Sequence, residues 1–191
     1  MNKPNSDCLK SIIKIYGFNL SKVDITGVNI AECDIRNIKL RKDKNIFQKV
    51  KDKNLFGVTF PSKDYSRYNF KDVLLKSSVF SINTRLPKNR NFFQKLRRKD
   101  ISKVVMPCAD YSIYNFRNVN IRGTIFPLDA ILTYDYNFFQ KIKFKDFRGT
   151  VLPLDIIKNL HLFDLKGVRF NINSLDLTPY QKFIIMKKQE Y

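Results

Sequence analysis

The chain is poor in the residues from which most active sites are assembled. It has one histidine, His161, so a Ser-His-Asp or Cys-His arrangement could be built only there, within the apolar stretch Leu160-His161-Leu162. Its three cysteines, Cys8, Cys33 and Cys108, are odd in number, widely spaced and without a CxxC pair. That pattern argues against a disulfide framework or a zinc site and implies reduced thiols, two of them buried, in a cytoplasmic chain. Six glycines are few for a phosphate-cradling loop, and no such loop is present. No apolar run approaches the roughly 20 residues of a membrane span. An N-terminal apolar core followed by a small-residue cleavage site is also missing, although export by a route needing no such signal stays open. These absences imply a protein that is not an enzyme and carries no cofactor and no metal.

Acidic residues are scarce too. Asp and Glu number 17 against 36 Lys and Arg, a formal net charge of +19 with an isoelectric point near 9.9. Two readings follow. The cations either coat solvated outer faces, or they meet an anionic partner such as nucleic acid, an acidic protein or a lipid surface.

What is abundant is a spacing of five. Leu20, Ile25, Ile30, Ile35 and Leu40 are branched aliphatics five residues apart, and Phe18, Val23, Val28, Cys33 and Ile38 precede them by two. The series continues through Val50, Leu55, Phe60, Tyr65, Phe70, Leu75 and Phe80. After a one-residue slip it resumes from Leu86 to Phe126, and after another from Leu132 to Ile157. A larger slip precedes Leu165, Phe170 and Leu175. A helix repeats near 3.6 and a half-buried strand near 2, so five fits neither. It fits a chain that turns a corner every five residues and buries the same side chain each time, with stacked turns sharing one core. The competing reading is an ordinary β-rich domain whose strands happen to align.

The pentapeptides Val23-Asp24-Ile25-Thr26-Gly27 and Cys33-Asp34-Ile35-Arg36-Asn37 resemble the pentapeptide-repeat family. The resemblance implies an all-β fold: a right-handed quadrilateral β-helix, or solenoid, with about four pentapeptides per coil. At about 4.8 Å per coil, seven or eight coils would make a rod about 35–40 Å long. Residues 1–17 would form an N-terminal capping segment, 18–176 the repeat body and 177–191 a C-terminal capping helix. Leu9, Ile12, Ile13 and Tyr16 follow a helical spacing that starts from Ser6 or Asp7 and stops at Gly17. Thr178 and Gln181 read as a capping box around Pro179, with Phe183, Ile184 and Tyr180 facing the last coil.

A longer unit lies over the short one. Phe47-Gln48-Lys49, Phe93-Gln94-Lys95 and Phe139-Gln140-Lys141 recur 46 residues apart, as do Phe60-Pro61, Met106-Pro107 and Leu152-Pro153. Nine pentapeptides plus a bulge would rotate successive copies by one face. Two coils plus six inserted residues would stack them on the same face. The inserted form is favoured, because Asn45, Asn91 and Asn137 fall at core positions and two apolar residues follow each.

Each copy is wrapped in cations. The candidate partner-binding residues are Lys49, Lys51 and Lys53; Lys95, Arg97, Arg98 and Lys99; and Lys141, Lys143 and Lys145. In an extended segment the alternation of Lys49, Lys51 and Lys53, and of Lys141, Lys143 and Lys145, would put these charges on one side. Phosphates could then be held by charge and bases by the neighbouring phenylalanines, unless those rings fill the core. Asp24, Asp34, Asp64, Asp110 and Asp164 sit where turn hydrogen bonding explains them.

Three functions are consistent with this reading. The first is a non-catalytic scaffold whose basic face holds an anionic partner, nucleic acid or another acidic surface. The second is a bacterial effector or protein–protein interaction module, able to dimerise through a terminal cap. The third is a topoisomerase-interacting protector, implied by relatives that act as acidic duplex mimics; the positive charge of this chain disfavours it.

Overall fold

The computed structural model describes residues 8–171 and 178–190; Ser6, Asp7 and Leu175 lie outside them, as does the side chain of Ile184. The first element is helix α1, Leu9–Tyr16, which buries Leu9 and Ile12 on one face. Gly17 ends it at φ 68°, a left-handed value that glycine adopts without steric cost, and donates its N–H to the Ile13 carbonyl.

The expectation of an all-β chain forming a quadrilateral β-helix is corrected by the secondary structure. One two-stranded parallel sheet is present among the described residues, β1 (Asn19–Leu20) paired with β2 (Lys39–Leu40). Helix outweighs strand: α2 (Ile46–Lys49), α3 (Phe138–Lys141), α4 (Leu154–Lys158), α5 (Pro179–Glu190) and five single 3-10 turns join α1. The physical reason is the length of the straight segments. A strand needs consecutive paired residues, and a chain that bends every five leaves room for only one or two.

Isolated parallel bridges take the place of strands. Asp34, Thr59, Val79, Val105, Ile125 and Val151 are linked one to the next. Asp64 pairs with Arg85, and Asp110 with Ile131. A further series contains Asn54–Leu74, Asp100–Asn120 and Asp146–Arg169. Between these pairs the amides of Lys51, Arg97 and Lys143 donate to the carbonyls of Val28, Val73 and Val119, at 2.9, 3.0 and 3.1 Å. Backbone groups of one turn are therefore satisfied by a turn 19 to 28 residues away.

The interior is filled at the five-residue spacing. Leu20, Ile25, Ile30, Ile35, Leu55, Phe60, Tyr65, Leu75, Ile101, Met106, Tyr111, Ile121 and Phe147 are buried, and Val23, Val28, Cys33 and Ile38 close the gaps between corners. Phe18 departs from this pattern and is exposed. Among the cysteines only Cys33 is buried; Cys8 is exposed, Cys108 is half-buried, and no disulfide joins them.

The 46-residue unit consists of two turns and an insert. At Asn45, Asn91 and Asn137 the chain leaves the five-residue register, and Ile46-Phe47, Phe92-Phe93 and Phe138-Phe139 plunge into the core in a short helical turn. Phe93 packs at ring-centroid distances of 4.9 Å from Phe116 and 5.1 Å from Tyr114, and Phe47 lies 5.1 Å from Phe70. The glutamine that follows fastens the insert to the next turn. Gln48 Nε2 donates to the Asn69 and Lys71 carbonyls, Gln94 to Asn115 and Arg117, and Gln140 to Asp164 and Lys166. This explains the recurrence of Phe-Gln-Lys: the phenylalanine packs and the glutamine bridges.

At the far end, Thr178 and Gln181 exchange side-chain-to-backbone hydrogen bonds at 2.9 and 3.2 Å and start α5. The helix docks through Ile185, which is buried, and through Gln189 Nε2 on the Val168 carbonyl. Tyr180 and Phe183, expected to face the core, are exposed.

Phe93→Ala should destabilise the fold by about 3–5 kcal/mol, because a buried ring with several aromatic neighbours leaves a cavity. Gln94→Ala, which leaves two partly solvated carbonyls short of a donor, should cost about 0.5–1.5 kcal/mol. Denaturant titration followed by circular dichroism checks the order; equal effects would mean that the insert packs loosely.

Candidate functional site

The candidate cations are displayed by three equivalent turns. Lys51–Lys53, Arg97–Lys99 and Lys143–Lys145 are 3-10 turns in which the second and third residues have positive φ, 53° and 47°, 56° and 49°, 61° and 48°. The expected extended alternation of Lys49, Lys51 and Lys53, and of Lys141, Lys143 and Lys145, is corrected here, since the backbone folds back within each triplet. The linkage through Val28, Leu74, Val73, Asn120 and Val119 nevertheless stacks the three turns along one side, with a full turn between neighbours. Arg97 joins copies directly, donating from its guanidinium to the Asp52 carbonyl at 2.5 Å.

Lys49, Lys95 and Lys141 belong to the preceding helical turns and differ among themselves. Lys49 pairs with Asp43 at 2.6 Å, and Lys141 with Asp135. Each contact holds the aspartate below the usual carboxylate range. In the middle copy the matching residue is Asn89, which still caps the Asn91 amide but brings no charge to Lys95. The phenylalanines expected alongside the cations, Phe47, Phe93 and Phe139, are core residues and offer no stacking surface.

Acids thin out along the face. Between the first two copies Asp72 lies 3.6 Å from Lys53 and 3.9 Å from Arg97. Between the second and third the corresponding residue is Asn118. There an open depression is lined by Gln94, Leu96, Arg98, Lys99, Asn118, Lys143 and Phe144, three cations with no acid among them.

A second cationic row went unnoticed in the sequence because it lies away from the Phe-Gln-Lys motifs. Lys76, Lys103, Arg122 and Arg148 sit at successive corners beside the first row, joined by bonds such as Lys103 N–H to the Arg122 carbonyl and Gly123 N–H to the Arg148 carbonyl. The two-residue step of Lys76, Arg122 and Arg148 after Leu74, Asn120 and Asp146 was the available signal; Lys103, three residues after Asp100, does not keep it. Asp146 anchors this row. Its carboxylate is 8% exposed and accepts from Arg148 at 2.8 Å, with Arg169 at 3.7 Å and Arg122 at 3.9 Å. The Arg148 hydrogen bonds, outweighing burial, hold its pKa down to about 2.

The remaining sequence candidates have structural roles. Asp24, Asp34, Asp64, Asp110 and Asp164 each accept the amide two residues on. His161 is exposed, and its carbonyl accepts from Lys188. Among the described residues no group of three or more His, Cys, Asp or Glu is placed to hold a metal ion. No helix among them is long and apolar enough to cross a membrane.

No protein-family model matches the chain, and none of the curated proteins matches it.

Asp146→Asn should cost on the order of 1–2 kcal/mol, less than the full pKa displacement because the three arginines are about half exposed. The folded pKa is depressed below the ordinary 3.8. The parent's stabilisation from this group is therefore complete above that pH and is lost as pH falls toward about 2. Stability measured across this window should slope less in the variant; an unchanged slope would mean that the arginines do not engage Asp146.

Proposed function

We propose that this protein is a non-catalytic scaffold whose stacked basic turns bind a polyanion, nucleic acid being the first candidate. The observation that carries this reading is the acid-free cluster of Arg98, Lys99 and Lys143 in one open depression, flanked by Lys103, Arg122 and Arg148. Surface cations on a chain of charge +19 would be expected somewhere. Their alignment on one side at a two-turn interval gives them a spacing that a long anion can follow. Phosphate contacts release counterions, so affinity should fall steeply with salt. We also infer kinship with the pentapeptide-repeat family, a proposal that rests on the five-residue spacing of buried residues.

A protein–protein interaction module is a second reading, favoured by apolar side chains left outside. Tyr180, Phe183 and Met186 of α5 are exposed, as are Ile125 and Val151 in the longest bridged series.

The test is retention on heparin across a salt series, followed by titration of a labelled duplex. Reversing Arg98, Lys99 and Lys143 to Glu should shrink the log–log salt slope by about three. The melting temperature should move little, because none of the three is a core residue. Absence of retention at low salt would sink the polyanion reading and favour the interaction module.

A further inference from the structure

Phe144 is out of place by two physical criteria. It occupies the turn position filled by Asp52 and Arg98 in the other copies, with φ 61°, where a bulky side chain is strained. It is also 68% exposed, so burial does not offset that strain. The backbone is held in place from outside, as Arg169 donates to the Phe144 carbonyl at 3.1 Å, and Arg97 treats the Asp52 carbonyl in the same way. The Lys143 ammonium sits over the ring, 5.0 Å from its centroid. The ring therefore borders the acid-free depression of Arg98, Lys99, Asn118 and Lys143 while keeping most of its surface in water.

Resting on the polyanion reading above, we propose that the ligand of this depression is a single-stranded nucleic acid, one of whose bases stacks on Phe144 while Arg98, Lys99 and Lys143 hold the flanking phosphates. Charge complementarity selects the phosphates. The exposed ring selects an unpaired base, because the π-face of a base in a duplex is covered by its neighbours. Stacking on an aromatic ring works for any base, and the neutral hydrogen-bonding side chains lining the depression are only Asn118 and Gln94, whose Nε2 is already engaged by the Asn115 and Arg117 carbonyls, so the site discriminates strandedness more than sequence.

The test uses the full chain and fluorescence anisotropy with three labelled probes of equal length: a single strand, an abasic phosphodiester strand and a duplex. Phe144→Ala should weaken the single strand by about tenfold or more. Its affinity for the abasic strand and its elution from heparin should stay unchanged, and Phe144→Tyr should restore single-strand binding. If the parent binds the single and abasic strands equally and Phe144→Ala changes nothing, the stacking proposal is overturned while heparin retention leaves the basic face standing. If the parent binds none of the probes and is not retained on heparin, both readings are overturned. An unchanged circular dichroism melt for Phe144→Ala separates lost stacking from lost folding.

Discussion

Each turn of this chain leaves its amides and carbonyls unsatisfied until the next turn is laid against it. The Phe60 amide reaches the Val79 carbonyl, the Phe80 amide reaches Val105, and the Phe126 amide reaches Val151. An unpaired buried peptide group is costly, so this requirement fixes the position of each turn relative to its neighbours. The core follows from it. Side chains that share a corner in successive turns are forced to meet, which is why rings such as Phe60 and Phe80 stack at 4.5 Å.

The same constraint turns a sequence repeat into a surface. Because bonding partners lie 19 to 28 residues apart, residues 46 apart fall on one side after two turns. The six extra residues of each unit are absorbed in a helical excursion that buries two apolar side chains and restores the register. Lys51 and Lys53, Arg97 to Lys99, and Lys143 with Lys145 are thus brought together by backbone bonding. Their own interactions are mostly repulsive, and Asp72, beside Lys53 and Arg97, relieves them only locally.

The five-residue spacing made the buried set legible, from Leu20 to Leu165, since it reports which side chains share a corner. It misled on class. Periodicity says where side chains point but not whether consecutive residues pair, and here bridges are mostly single. The Phe-Gln-Lys motif was visible as a repeat, but its cations drew attention away from the glutamine, whose bonds to carbonyls 21 to 26 residues away leave no local mark. The extended alternation expected for Lys51, Lys53, Lys143 and Lys145 fails locally, because positive φ at non-glycine residues such as Asp52 and Phe144 cannot be read from composition. Arg122 and Arg148 keep a visible two-residue step after Asn120 and Asp146, but that step does not say which row they adjoin; the bridging pattern does.

The stapled insert has an evolutionary consequence. A 46-residue unit begins and ends at the same point around the axis of winding, so duplicating or excising one whole unit leaves everything beyond it in the same orientation. Growth by gene duplication would therefore lengthen the molecule in fixed steps without turning its charged side away. Asn118 in place of Asp72, and Phe144 in place of Arg98, are the divergence such a history permits: each copy is free to change its outward residues while the phenylalanine and glutamine that lock it stay put.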